Sequence, residues 1–101
     1  MIKQYQYNLY IGLTTKNNKK LNFKKSIKII NSVIQPFLSG YTIQNNNIGV
    51  WNGSREKSLI ITIIESNQID FIIDYIKKSL CYNLQQYTIL ATKQIIGVLE
   101  D

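Results

Sequence analysis

The chain has 101 residues, 45% hydrophobic and 18% charged, which fits one globular domain around a single core and excludes a disordered tail. One Cys, no His and no apolar run near about 18 residues remove disulfide scaffolds, histidine-based catalysis, most metal sites and a membrane-spanning helix. The formal charge is +6 and uneven: residues 1–50 carry seven Lys and no acid, whereas residues 51–101 carry five basic and six acidic groups, so one end or face should be positive.

In chain order, Gln4 to Leu13 alternates. Tyr5, Tyr7, Leu9, Ile11 and Leu13 point one way and Gln4, Gln6, Asn8, Tyr10 and Gly12 the other, which predicts a strand with one buried face. The polar loop TTKNNKK leads to Asn22, a good N-cap, after which Phe23, Ile27, Ile30 and Ile34 recur at helical spacing until Pro36. The spacing predicts a first helix over 23–35. After Ser39-Gly40, YTIQ reads as a strand, Asn45-Asn46-Asn47 as a turn and Ile48 to Trp51 as a short second arm. Asn52-Gly53-Ser54 is the next turn. Lys57 to Glu65 is apolar on both alternating faces, Leu59, Ile61 and Ile63 on one and Ile60 and Ile64 on the other, and is expected to be covered on both sides. Asn67 and Asp70 make a box-like start for a second helix, whose core stripe is Ile69, Ile72, Ile73, Ile76 and Leu80. A last strand runs from Gln86 to about Thr92. The apolar tail, 94–101, is expected to pack on the sheet or on a partner subunit. The order β-α-β-β-α-β predicts an α+β, ferredoxin-like sandwich, an antiparallel sheet with two helices on one face, as a single domain over 1–101.

Two surfaces exceed what a monomer of this design needs. One is the sheet face away from the helices, where Ile60 and Ile64 form a second apolar row beside Tyr10. The other lies on the second helix, where Phe71, Tyr75, Lys78 and Tyr82 fall within about 60° of one another opposite the core stripe. Ile60, Ile64, Phe71, Tyr75 and Tyr82 are therefore the candidate contacts of a homo-oligomer, a dimer or higher. The competing expectation is that the tail caps the sheet and the tyrosines lie flat.

Val50 to Lys57 holds the only Trp and the only Arg. Arg55 offers a planar fork of donors for phosphate or carboxylate and Trp51 a surface for a ring, so with Tyr10 they form a candidate site for an anionic ligand such as a nucleotide. Otherwise Trp51 plugs the core and Arg55 pairs with Glu56 or Glu65. Lys16, Lys19, Lys20 and Lys24, near the free N–H groups of the first helix, are candidate anion contacts, or else a solvated run of charge. Leu9 to Leu13 resembles the first-strand signature of RNA-recognition domains, but Lys57 to Glu65 has no aromatic residue to stack a base, so RNA is not an expected partner. Catalysis would fall to Tyr10, Arg55, Glu56, Glu65 or Cys81. Cys81 reads as a partly buried, inert thiol, and Glu56 and Glu65 stand about 30 Å apart along one strand, too far for a carboxylate pair.

With 19 Ile, 11 Asn and 11 Lys against one Arg, the composition follows AT-rich codons, so part of the charge is a codon habit that fits a low-GC bacterium, its phages or a mobile element. Four short segments, Leu9-Tyr10-Ile11-Gly12, Gly49-Val50-Trp51, Arg55-Glu56-Lys57-Ser58 and Gln85 to Leu90, resemble a family of short bacterial proteins of unknown function with G-x-W and R-E-x-S elements. The resemblance spans most of residues 8–92 and implies the same fold. Members with this pattern often carry export signals; none opens this chain, and location does not transfer. The resulting expectation is a non-enzymatic, cytoplasmic, self-associating protein that holds an anionic small ligand such as a nucleotide. In a phage or mobile-element setting it would sequester a host signalling nucleotide. The alternatives are a small enzyme of the dimeric α+β barrel type and a protein-binding inhibitor that uses the aromatic face of the second helix. No cofactor, metal or membrane is expected.

Overall fold

Asn22 starts the first helix by the mechanism its residue type suggests: its side chain accepts the Lys25 backbone N–H at 3.0 Å. In the computed structural model, residues 1–99 are described, apart from the side chain of Trp51. Six elements follow in order: β1 (Ile2–Gly12), α1 (Phe23–Ile34), β2 (Thr42–Trp51), β3 (Ser54–Glu65), α2 (Asp70–Asn83) and β4 (Leu90–Val98). The four strands form one antiparallel sheet in the order β2-β3-β1-β4, with both helices on one face, so the fold is the ferredoxin-like sandwich. No described helix is long and apolar enough to cross a membrane.

The inward row of β1, Tyr7, Leu9 and Ile11, lies opposite Ile63, Ile61 and Leu59 of β3. Over this floor pack Ile30 and Ile34 of α1 and Ile73, Ile76 and Leu80 of α2, all buried. Each such aliphatic side chain contributes about 1.5–3 kcal/mol on burial, which is what holds two short helices to the sheet. Two alternating rows on β3 therefore meet different fates. The odd positions are core, while Ile60 is half-buried and Ile64 remains 44% exposed on the open face.

Three boundaries differ from expectation. Asn45-Asn46-Asn47 is not a reversal but a bulge inside one continuous strand, at the register shift between Gln44 and Asn47. Asn46 takes φ 62° and the Asn47 amide donates to the Gln44 and Asn45 carbonyls, so short polar side chains bend the strand without turning it. The reversal comes at Asn52 and Gly53, with φ 50° and 80°, a two-residue primed hairpin turn.

Helix α2 is not capped by Asn67. Ile69 holds the cap position with no side-chain bond from its own segment, and the hydroxyl of Tyr7 accepts its backbone N–H at 2.9 Å instead. The last strand begins at Leu90, not Gln86. Residues 94–98 do not fold over the sheet face, since they complete β4 beside β1 out to the pair Ile2 and Val98. An unpaired edge of β1 takes up backbone bonds that a tail lying on side chains would leave unmade.

Candidate functional site

The open face of the sheet reads from the register as a polar centre with apolar ends. Asn8 accepts the Thr62 hydroxyl at 2.8 Å, and Thr62 faces Thr42 across β2. Toward one end Tyr10 stands between Ile60 and Leu90, and one step further Gly12 lies opposite Ser58. Glu56 points to this same face and lies across Gly12. A Cβ on Gly12 would sit 2.7 Å from the Glu56 carboxyl carbon, so glycine makes the berth in which that carboxylate rests. Its neighbour across β2 is another glycine, Gly49. Glu56 is half-buried and, among the described residues, no Lys or Arg pairs with it. Glu65 at the other end of β3 is likewise half-buried and without an ion pair among the described residues, so what sets Glu56 apart is its berth over Gly12.

Tyr10 and Arg55, two of the three residues expected to share a ligand, are not brought together. Arg55 stands opposite Val50 and alternates with Glu56, so it projects from the other face of the ribbon, away from Tyr10. It is exposed and forms no ion pair with Glu56 or Glu65, so neither the shared pocket nor the bracing pair is present. The Trp51 side chain lies outside the described residues; its backbone pairs with Ser54. Of the expected set, Tyr10 remains at the site, joined by Glu56, which sequence reasoning carried as a candidate catalytic group or as an ion-pair partner of Arg55. The glycines at 12 and 49 were the available signal.

The expected interface residues divide between two surfaces. Ile60 and Ile64 belong to the open sheet face, whereas Phe71, Tyr75 and Tyr82 stand on the outer side of α2, at 80%, 57% and 84% exposure. A two-fold contact of like surfaces cannot use both. Phe37 packs its ring edge-on against Tyr75 at 5.3 Å between centroids, and Lys78 pairs with Asp74.

Lys16, Lys19, Lys20 and Lys24 are all exposed, on the loop after β1 and the first turn of α1. The loop is ordered by Thr15, whose hydroxyl accepts from the Asn17 and Lys19 backbone N–H groups, and by Lys16 N–H donating to the Gln85 carbonyl at 2.8 Å. An open cleft of about 590 Å³ lies between this loop and the end of α2. Cys81 borders it, and burial pushes its thiol above the ordinary range, which keeps it protonated.

A second cluster escaped the sequence. The Tyr7 hydroxyl donates to Asp70 Oδ1 at 2.6 Å, and Lys93 Nζ reaches Asp70 at 3.0 Å and Gln68 at 2.7 Å while lying over the Tyr5 and Tyr7 rings. The Tyr7 bond, then Lys93, hold the Asp70 carboxyl below its usual value; burial, then the Asp70 bond, raise the Tyr7 phenol. Its signal was an inward-facing Lys93 on β4 at the position opposite Tyr7.

No protein-family model matches the chain, and no curated protein sequence matches it. Among solved structures, a phage S-adenosylmethionine lyase in its apo state matches at TM-score 0.75 and 19% identity, over 96% of this chain and 84% of that one. The same kind of lyase in complex with S-methyl-5′-thioadenosine matches at TM-score 0.67 and 18% identity, over 97% and 85%. CPII, a nitrogen regulatory PII-like protein of Thiomonas intermedia K12 bound to ADP, AMP and bicarbonate, matches at TM-score 0.55 and 10% identity, over 98% and 96%. At these identities the likeness shows one thing, a common ferredoxin-like fold along nearly the whole chain.

Proposed function

We propose that the protein binds an adenosine-bearing small molecule at the Tyr10–Glu56 end of the open sheet face, and that it cleaves S-adenosylmethionine. The observation that carries this reading is the whole-length likeness to a lyase, also held with S-methyl-5′-thioadenosine, which in both states exceeds the likeness to the PII-like protein in TM-score and identity. The PII-like protein, bound to ADP and AMP, supports adenosine as the shared ligand chemistry.

The residues suit a sulfonium. When S-adenosylmethionine gives S-methyl-5′-thioadenosine, the bond from sulfur to the amino-acid chain breaks, its electron pair stays on sulfur, which becomes neutral, and the substrate's own carboxylate oxygen bonds to the carbon that sulfur leaves, closing a lactone. A cationic sulfur needs no protonation to leave, so the chemistry asks for position and a dry pocket more than for a histidine. Glu56 offers a half-buried carboxylate without a lysine or arginine partner among the described residues to attract the sulfonium, and Tyr10 a ring on the same face, two residues along β1 from the Gly12 over which Glu56 lies.

The same face serves as a contact between copies. Ile60, Ile64, Ile96 and Val98 leave apolar surface around its polar centre, and the tip of the β2–β3 ribbon extends past the pairing with β1. A ribbon of two strands is marginal by itself in water. Sedimentation is expected to give at least a dimer, with Ile60→Asp dissociating or unfolding it and Tyr82→Asp leaving it intact; a monomer at tens of micromolar removes this contact. A cytoplasmic location belongs to the same proposal.

The test is incubation with S-adenosylmethionine, followed by chromatography and mass analysis, beside calorimetric titration with S-methyl-5′-thioadenosine, ADP and AMP. Release of S-methyl-5′-thioadenosine, reduced about tenfold or more in Glu56→Gln, is the expected result. ADP or AMP recovered intact with no turnover would instead favour sequestration. Absence of every adenosine ligand would end the reading.

A further inference from the structure

Residues 16 to 28 contain six lysines and no acidic residue, and all six are exposed. None of them forms an ion pair among the described residues. More than half of the chain's lysines thus lie within 13 positions, a clustering that a genome-wide codon habit does not produce. They do not surround an empty helix terminus, since Asn22 already takes the Lys25 N–H. Instead they run from the rim of the 590 Å³ cleft along the first turns of α1.

That cleft has a distinct lining. Lys16 and Asn17 supply one wall; Tyr82, Asn83, Gln85 and Gln86 supply the other. Four of these six are side-chain amides; the amino groups of Asn83 and Gln86 already donate to Ser79 and to the Thr14 and Leu84 carbonyls, which leaves Asn17 and Gln85 to both donate and accept at a base edge. Tyr82 is 84% exposed at the wall, an aromatic surface free for stacking.

The cleft is held in shape by both of its walls. Gln86 Nε2 donates to the Thr14 carbonyl at 3.0 Å, and the Gln85 carbonyl accepts from Lys16. Helix α2 ends in the pattern usual for glycine, with Gln86 N–H donating to Cys81 and Gln85 N–H toward Tyr82, yet the left-handed position is Gln85, at φ 53°. A glycine would hold that backbone with less strain and would bring no amide to the cleft.

We propose that this surface binds single-stranded nucleic acid, with the lysines of 16–28 tracking the phosphates, Tyr82 stacking on a base and the amides of the cleft meeting a base edge. A mononucleotide would occupy the cleft but not the length of the lysine row; a polymer of phosphates uses both. The open sheet face plays no part, so this proposal stands apart from the adenosyl site. Aromatic stacking together with a positive track is the means by which single strands are held with little sequence preference.

The experiment is fluorescence anisotropy of a labelled 15-nucleotide oligo(dT) with the full chain, at increasing salt. Binding is expected to fall about 50-fold between about 50 and 200 mM salt, as for some four phosphate contacts on a single strand. The triple variant Lys19→Glu, Lys20→Glu, Lys24→Glu should lose binding while its circular dichroism and melting stay near wild type. Tyr82→Ala should weaken binding about tenfold and Tyr82→Phe should restore most of it. Glu56→Gln should leave it unchanged. No binding at about 50 mM salt, binding kept by the folded triple variant, or equal affinity for dTMP and the 15-mer overturns the proposal.

Discussion

The two ends of helix α2 contain similar side chains put to different use. At the N-terminal end, Tyr7, Asp70, Lys93 and Gln68 satisfy one another within 3.1 Å, and Tyr7 also caps the helix through Ile69. At the C-terminal end, among the described residues, the lysines of the loop after β1 and the exposed Tyr82 have no such side-chain partners, and on the far face of the sheet Glu56 is likewise without a cation. A closed network resists a ligand, because binding must first break bonds already made. An open one has donors, acceptors and rings free. Pairing, more than the number of charged and aromatic residues, separates a staple from a site.

The largest expected effect breaks the closed end. Tyr7→Phe strips the Ile69 N–H and Asp70 of their partner and should lower stability by about 1–3 kcal/mol in chemical denaturation, while S-adenosylmethionine and oligonucleotide binding hold. If binding vanished and stability stayed, the assignment of the two ends would be reversed.

At the open end, Gly12→Ala should act through its neighbour. The new methyl takes the space of the Glu56 carboxylate, which can swing away at little cost, so the variant should fold with nearly wild-type stability and lose about tenfold, or about 1.4 kcal/mol, in S-adenosylmethionine affinity. Gln85→Gly should sharpen the contrast by moving two properties in opposite directions. It relieves the left-handed backbone, raising stability by about 0.5–1 kcal/mol, and weakens oligonucleotide binding by removing an amide from the cleft.

The pH profile distinguishes the ends as well. Asp70 is held below its ordinary value of 3.8, so its contribution is present above that pH and is lost as pH falls through the lower folded value. The Tyr7 phenol is raised above 10.0, so its contribution is present below that pH and is lost as pH rises through the folded value. Tyr7→Phe removes the phenol and the largest cause of the Asp70 shift. Its denaturation midpoint should therefore lose less between neutral and acid pH than that of the wild type, and lose the tyrosine component on the alkaline side. The smallest effect belongs to Arg55→Lys, expected within about 0.5 kcal/mol for stability and for ligand affinity, because Arg55 is exposed, unpaired with either glutamate and on the ribbon face away from Tyr10.

Periodicity alone determined the element order, the inward row of β1, the helix α1 with its Asn22 cap and the two-faced character of β3, since each depends on residues close in sequence. The exposed aromatic side of α2 was legible for the same reason. Only the tertiary structure decided that Tyr10 and Arg55 face opposite ways, because facing is counted across strands whose register a single strand does not contain. The cap on α2 came from Tyr7, 62 residues away from Ile69, and no local pattern could announce it. The tail became an edge strand because β1 had backbone groups to pair on that side. Gly12 and Glu56 met across two strands, and the lysine loop met the end of α2 through Lys16 and Gln85. Residue types are written along the chain; which charges end up paired depends on contacts that the chain makes only once it has folded.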